Sequence, residues 1–235
     1  MMPSSDEDCV RARSRTMGEA GGGSVARHVV VRREGPRTFV VLHGYAGDAV
    51  QTRDIFQDWV QVIDDSSFLF LEGVTPCRGV GGFAWLPLTS DRTTLADHLQ
   101  VLAPLVERYI ADAMADERLG REVLLVGHSQ GAMLVLEMVA RAVISVKGAI
   151  SISGMHPLPP RMRATDARAP VDRPEVVFVH ENADPMIPLH RARESERAFS
   201  ELGLRTRMAV VDGGRHALSR AYANQVLSIT NGSLQ

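Results

Sequence analysis

A serine hydroxyl attacks a carbonyl at neutral pH only when a neighbouring base takes its proton, and a histidine oriented by a carboxylate is the usual device. The chain holds one serine in a setting that invites this chemistry. Gly127-His128-Ser129-Gln130-Gly131 reads G-x-S-x-G, follows the apolar run Glu122–Val126 and opens the apolar helical pattern Met133–Ala142. A strand, a tight turn and a helix in that order lift the serine hydroxyl to the C-terminal edge of a sheet. Small residues on either side let the turn close, and the helix N-terminus favours developing negative charge.

With such a turn the acid and then the histidine follow the serine in chain order. His180-Glu181-Asn182-Ala183-Asp184-Pro185-Met186-Ile187-Pro188 follows a later strand, which places Asp184 in a loop at the same edge. Asp172 precedes its strand and Asp212 is too close to the histidine, so both are weaker choices. His216 lies in Asp212–Ser219, between the last strand and the last helix. His43 and His128 sit beside glycines in turns, His180 ends a strand, and His28 and His98 fall on elements that lead elsewhere. The expected set is therefore Ser129 as nucleophile, His216 as base and Asp184 as its orienting acid. Activity should then fall as pH drops through roughly 6–7, where an ordinary histidine becomes charged. Two backbone N–H groups should hold the oxyanion: Gln130, just after the serine, and Tyr45 in the loop Leu42–Asp48 after an early strand.

The elements that must carry these loops are legible as alternation. Short apolar runs at Val25–Arg32, Thr38–Leu42, Phe68–Leu71, Glu122–Val126, Val146–Ile152, Glu175–Val179 and Arg205–Val211 read as strands of a sheet buried on both faces. Between them, Leu95, Leu99, Leu102, Val106, Ile110 and Met114 form one apolar helical stripe within Leu95–Arg118. Met133–Ala142 is apolar nearly all round, hence central, while Pro188–Leu202 and Leu218–Ile229 read as outer helices. This is an α/β architecture, a mostly parallel sheet with helices on both faces and no large lid. The Pro- and Arg-rich stretch Met155–Arg173 reads as a loop.

Composition sets the boundaries of the reading. The 235 residues are 45% apolar with a formal net charge of −2. That suits one domain, over residues 25–235, and gives no electrostatic case for nucleic acid. Residues 1–24 read as a flexible tail ending in Gly21-Gly22-Gly23-Ser24. No apolar run of about 18 residues could span a membrane, and Met1–Ala26 lacks the apolar core of a secretory signal. Two cysteines, Cys9 and Cys77, form no disulfide framework, which points to free thiols in a reducing, cytoplasmic setting.

Five blocks together resemble the phospholipase/carboxylesterase family, which includes the acyl-protein thioesterases. They are L-H-G-Y-A-G-D at Leu42–Asp48, G-G-F-A-W-L at Gly81–Leu86, G-H-S-Q-G at Gly127–Gly131, D-P-M-I-P at Asp184–Pro188 and G-R-H at Gly214–His216. The resemblance implies a lidless α/β-hydrolase that needs no cofactor or metal. Its substrate would be a small-molecule carboxylic ester or thioester, or an acylated protein. Trp85 falls on the family's aromatic block near the acyl site. With it, Leu86, Met133, Met155, Met186 and Ile187 are the candidate acyl-pocket walls. The chain departs from the family pattern with Leu86-Pro87 after that tryptophan, and with Glu181 and Arg215 where glycines are usual. Lactone or peptide cleavage by the same triad, and a non-catalytic binding role on the same scaffold, stay open at this level. Oligomeric state is not readable.

Overall fold

Continuous apolar strands need both faces covered, and the computed structural model, which describes residues 10–17, 24–142, 144–160 and 173–230, has that arrangement. The strands are β1 (Val10–Met17), β2 (Ser24–Val31), β3 (Arg37–Leu42), β4 (Ser66–Leu71), β5 (Thr75–Pro76), β6 (Phe83–Ala84), β7 (Glu122–His128), β8 (Val146–Ile152), β9 (Glu175–Glu181) and β10 (Arg205–Val211). The helices are α1 (Ala49–Ile55), α2 (Gln57–Val62), α3 (Arg92–Asp116), α4 (Gln130–Arg141), α5 (Leu189–Glu201) and α6 (Arg220–Thr230). An eight-stranded sheet runs β1-β2-β4-β3-β7-β8-β9-β10, and β5 pairs with β6 in a separate hairpin. From β4 to β10 every neighbouring pair is parallel; β2 is antiparallel to both β1 and β4. The molecule is an α/β-hydrolase fold, with no large lid insertion among its described residues.

Each central strand divides its side chains between two cores. Val40 and Leu42 of β3, Leu69 and Leu71 of β4, and Leu125 of β7 pack toward α3, α4 and α5 with Leu99, Ile110, Leu136 and Phe199. Phe39, Val41, Phe68, Phe70 and Val126 point the other way, onto Phe56, Trp59, Tyr222 and Val226 of the α1, α2 and α6 side. Removing a large apolar side chain from water contributes about 1.5–3 kcal/mol, so both layers hold the sheet firmly. The α3 stripe expected from spacing is the buried one: Leu95, Leu99, Leu102, Val106 and Ile110.

The chain path decides where a site can form. From β3 the chain goes to β4 on one side, then through α3 to β7 on the other side of β3. Connections leaving β3 and β7 therefore diverge and open a crevice at the carboxyl ends of the strands, the ligand position of open α/β sheets. The loop after β3 carries Tyr45 and the turn after β7 carries Ser129.

Three features differ from the sequence reading. Val10–Met17, expected to belong to a flexible tail, forms an edge strand paired antiparallel with β2 from Val10↔Val31 to Met17↔Ser24. Its sequence has no apolar run to mark it as a strand, only arginine at every second position, Arg11, Arg13 and Arg15. The rest of the tail call, residues 1–9 and 18–23, lies outside the described residues, as does the 161–172 part of the expected Met155–Arg173 loop. The short helices α1 and α2 and the β5–β6 hairpin were not read from the sequence. Asp48 caps α1, its carboxylate accepting from the Gln51 N–H at 2.7 Å, and Trp59 anchors α2 by donating from Nε1 to the Ala223 carbonyl at 2.9 Å. No helix among the described residues is long and apolar enough to cross a membrane.

Candidate active site

The turn from β7 to α4 places Ser129 in a left-handed backbone conformation, φ 52° and ψ −114°. A residue with a Cβ holds that conformation at a cost of about 1–3 kcal/mol, and such strain concentrates at functional sites. Glycine on both sides makes the turn possible. A Cβ on Gly127 would sit 2.4 Å from the Gly131 carbonyl oxygen, and one on Gly131 would sit 2.3 Å from the carbonyl oxygen of Leu42 on β3. The G-x-S-x-G pattern is thus a packing requirement as well as a chemical one.

His216 lies across the crevice from the β10–α6 loop, also at positive φ, 51°. Its Nε2 is 2.8 Å from Ser129 Oγ and its Nδ1 is 2.6 Å from Asp184 Oδ2. Asp184 comes from the β9–α5 loop with its side chain fully buried. Its Oδ1 accepts the N–H groups of Met186 and Ile187, each at 2.9 Å. Burial opposes the charged carboxylate, yet the bonds from His216 and the Ile187 N–H outweigh it and hold Asp184 below the usual carboxylate range. An ionised Asp184 fixes the proton of His216 on Nδ1 and leaves Nε2 free to accept from Ser129.

The other histidines nearby are biased toward the neutral form. Burial pushes His128, beside the serine, down to about 3, and the adjacent His216 adds to the effect. Burial also lowers His180, whose Nε2 donates to the Ile187 carbonyl at 2.7 Å, and His43, whose Nε2 accepts from the Gly73 N–H at 2.8 Å. Burial thus disfavours proton uptake by His128, His180 and His43. We expect log kcat/KM to fall with unit slope on the acid limb. A slope of two in a stopped-assay pH series would mean that a second histidine gains a proton in the working range.

Tyr45 and Gln130 share one cavity with Ser129 and His216. Neither backbone N–H has an acceptor among the described residues; the first helical bond of α4 runs from the Met133 N–H to the Ser129 carbonyl. The Gln130 side chain has a separate task that the sequence reading did not assign. Its Oε1 accepts from the Trp85 and Leu86 N–H groups at 3.1 and 3.2 Å, and its Nε2 donates to the Leu86 carbonyl at 2.9 Å.

That clamp explains a correction. Trp85 and Leu86, expected in the acyl pocket, are buried behind its wall, 4% and 3% exposed. Trp85 donates from Nε1 to the His43 carbonyl at 2.9 Å and packs its ring on the His43 imidazole. The pair supports the Tyr45 loop from below. Met133, Met155, Met186 and Ile187 do line the cavity, which measures about 630 Å³ and has further apolar wall from Pro87, Leu88, Leu95 and Pro188. Met186 stands at its exposed rim.

Glu181 was also missed. At the end of β9, its Oε2 accepts from the N–H of His216 at 2.8 Å and of Arg215 at 3.2 Å, fastening the histidine loop to the acid loop. A glutamate ending a strand gives no signal in one sequence; its partners lie 34 and 35 residues away. We expect Glu181→Ala to lower kcat by about 10–100-fold with little change in KM, because a misplacement of His216 by about 1 Å costs rates of that order. Glu181→Gln, which keeps one acceptor, should lose less. Equal kcat in steady-state assays of all three proteins would contradict this. Among the described residues, no group of three His, Cys, Asp or Glu side chains is placed to hold a metal ion.

Comparison with known proteins bears on the fold and on the family. Among solved structures, esterase PE8 superposes with a TM-score of 0.73 at 22% identity, covering 87% of this chain and 97% of its own. A Bacillus cereus carboxylesterase gives 0.67 at 17% identity, covering 88% and 94%. A Dyadobacter fermentans phospholipase/carboxylesterase gives 0.62 at 18% identity, covering 97% of each chain. At these identities the likeness establishes the fold. No curated protein matches the sequence. The sequence profile of the phospholipase/carboxylesterase family, however, matches residues 26–231, nearly the whole described chain. The chain accordingly belongs to the phospholipase/carboxylesterase family, serine-hydrolase enzymes that cleave acyl esters or thioesters.

Proposed function

We propose that Ser129, His216 and Asp184 form the working triad and that Tyr45 and Gln130 supply the oxyanion hole. The observation that carries this is His216 bridging the serine and the buried carboxylate at 2.8 and 2.6 Å, with the serine facing the apolar cavity. Neutral His216 takes the Ser129 proton as Oγ attacks the acyl carbonyl. The carbonyl oxygen becomes an oxyanion, held by the two backbone N–H groups. Collapse of the tetrahedral species expels the alcohol or thiol, which receives the proton from His216 and leaves an acyl-serine. Water, deprotonated by the same imidazole, repeats the sequence and releases the carboxylic acid. Asp184 stays ionised throughout and stabilises the transient imidazolium.

The substrate is a small acyl ester or thioester, and because the cavity opens at an exposed rim, an acyl chain on a protein could also reach Ser129. The free Cys77 fits a cytoplasmic setting. The test is hydrolysis of 4-nitrophenyl esters from acetyl to decanoyl. Turnover is expected to rise with chain length until the cavity is filled, then fall. An enzyme that cleaves none of them at any length would overturn the assignment.

A further inference from the structure

The charge lining the cavity is one-sided. Arg92 and Arg191 line it beside Ser129, and among the described residues no aspartate or glutamate does. Arg92 opens α3 and donates from Nε to the Pro157 carbonyl; the two terminal nitrogens of its guanidinium have no partner among the described residues. Arg191, in the first turn of α5, donates from Nη1 to Glu194 Oε2 at 2.9 Å, and the two side chains are 35% and 48% exposed. Glu194 is the acid facing this rim, held below its ordinary range by Arg191 first and more weakly by Arg92 and His190. An exposed pair of this kind is weak, so Arg191 can exchange Glu194 for another anion. Among the described residues two guanidinium groups face one carboxylate at this rim, Asp184 being buried behind His216, so the edge of a mostly apolar cavity carries a surplus positive charge. The N-termini of α3, α4 and α5, contributing Arg92, Gln130 and Arg191 to the wall, add the same sign.

We propose that the preferred substrate is an acyl ester or thioester carrying one anionic group (carboxylate, sulfonate or phosphate) that seats on Arg92, with Arg191 beside it. The proposal rests on the acyl-hydrolase reading of Ser129. An arginine fork matches such a group through paired N–H donors, and the apolar walls between it and the serine accommodate the connecting chain. The anion can belong to the acyl half or to the leaving half, and each has its own probe.

For the acyl half, 4-nitrophenyl hemiglutarate is compared with 4-nitrophenyl pentanoate. For the leaving half, 4-butanoyloxybenzenesulfonate is compared with the neutral 4-(methylsulfonyl)phenyl butanoate, each rate divided by that of base hydrolysis. In at least one pair the anionic ester should have a kcat/KM about 10-fold higher at low ionic strength, with the advantage shrinking as salt is added. The pair that responds identifies the half that bears the charge. Arg92→Met should abolish the preference and Arg92→Lys should keep part of it; because a ratio is read, partial misfolding does not imitate the result. Equal treatment of both members of both pairs, with turnover still dependent on Ser129, would overturn the proposal and leave the hydrolase reading intact. So would a preference that survives Arg92→Met combined with Arg191→Met. No Ser129-dependent turnover of any of the four esters would instead remove the hydrolase reading itself.

Discussion

Ser129→Ala is expected to lower kcat on 4-nitrophenyl esters by about 10⁴–10⁶-fold while KM changes little, because in the proposed mechanism the hydroxyl is the atom that forms the acyl bond. Some catalysis above the uncatalysed rate should remain, since Tyr45 and Gln130 would still face an oxyanion formed by attacking water. The same substitution should leave stability almost unchanged. The removed hydroxyl has one bond, to His216 Nε2 at 2.8 Å, and the backbone strain at φ 52° stays because alanine keeps its Cβ. Ser129→Gly relieves that strain and should be more stable than Ser129→Ala by about 1 kcal/mol in urea unfolding. Loss of activity with unchanged or higher stability is the signature of a residue held for chemistry. A kcat within tenfold of wild type for Ser129→Ala would remove the serine from the mechanism.

How much of this could be read from residues alone follows from how local each signal is. Ser129, Asp184 and His216 were legible because each sits in a loop directly after an apolar strand, and parallel strands deliver their following loops to one edge. The central strands were legible because burial on both faces leaves a continuous apolar run; β8 and β10 have the bounds expected for them, although β10, at the sheet edge, is buried only at Val211. Signals that depend on distant partners were not. Nothing beside Glu181 in the sequence announces that its carboxylate will take the His216 N–H. Trp85 was misplaced because an aromatic beside an expected pocket looks the same whether it lines the cavity or lies behind it. What decides is the Gln130 amide holding its backbone and the His43 carbonyl taking its indole N–H. Helices α1 and α2 are 7 and 6 residues long, too short for a periodic stripe, and depend on Asp48 and Trp59 for their anchorage. β1 could have been found by its alternating arginines, but its pairing with β2 is a backbone matter that hydropathy does not report.

Asp184→Asn is expected to lower kcat by about 10⁴-fold while the fold and the triad distances persist, and the geometry says why the amide cannot substitute. Oδ1 of Asp184 accepts two backbone N–H groups, from Met186 and Ile187, at 2.9 Å each. An asparagine amide NH2 placed there would face two donors, so the side chain must turn its carbonyl oxygen toward them. The NH2 group then occupies the Oδ2 position, 2.6 Å from His216 Nδ1. Nδ1 is forced to accept, the imidazole proton moves to Nε2, and Nε2 can no longer take the proton of Ser129. His180 offers no escape, because its Nε2 already donates to the Ile187 carbonyl at 2.7 Å and it lies 3.6 Å from Oδ2. At high pH hydroxide can remove the Ser129 proton directly, so the variant's rate should climb steadily with pH where wild type has reached its plateau. The readout is the pH–kcat profile of Asp184→Asn beside wild type. A profile of wild-type shape, merely scaled down, would mean that Asp184 acts only by placing the ring and not by choosing its tautomer.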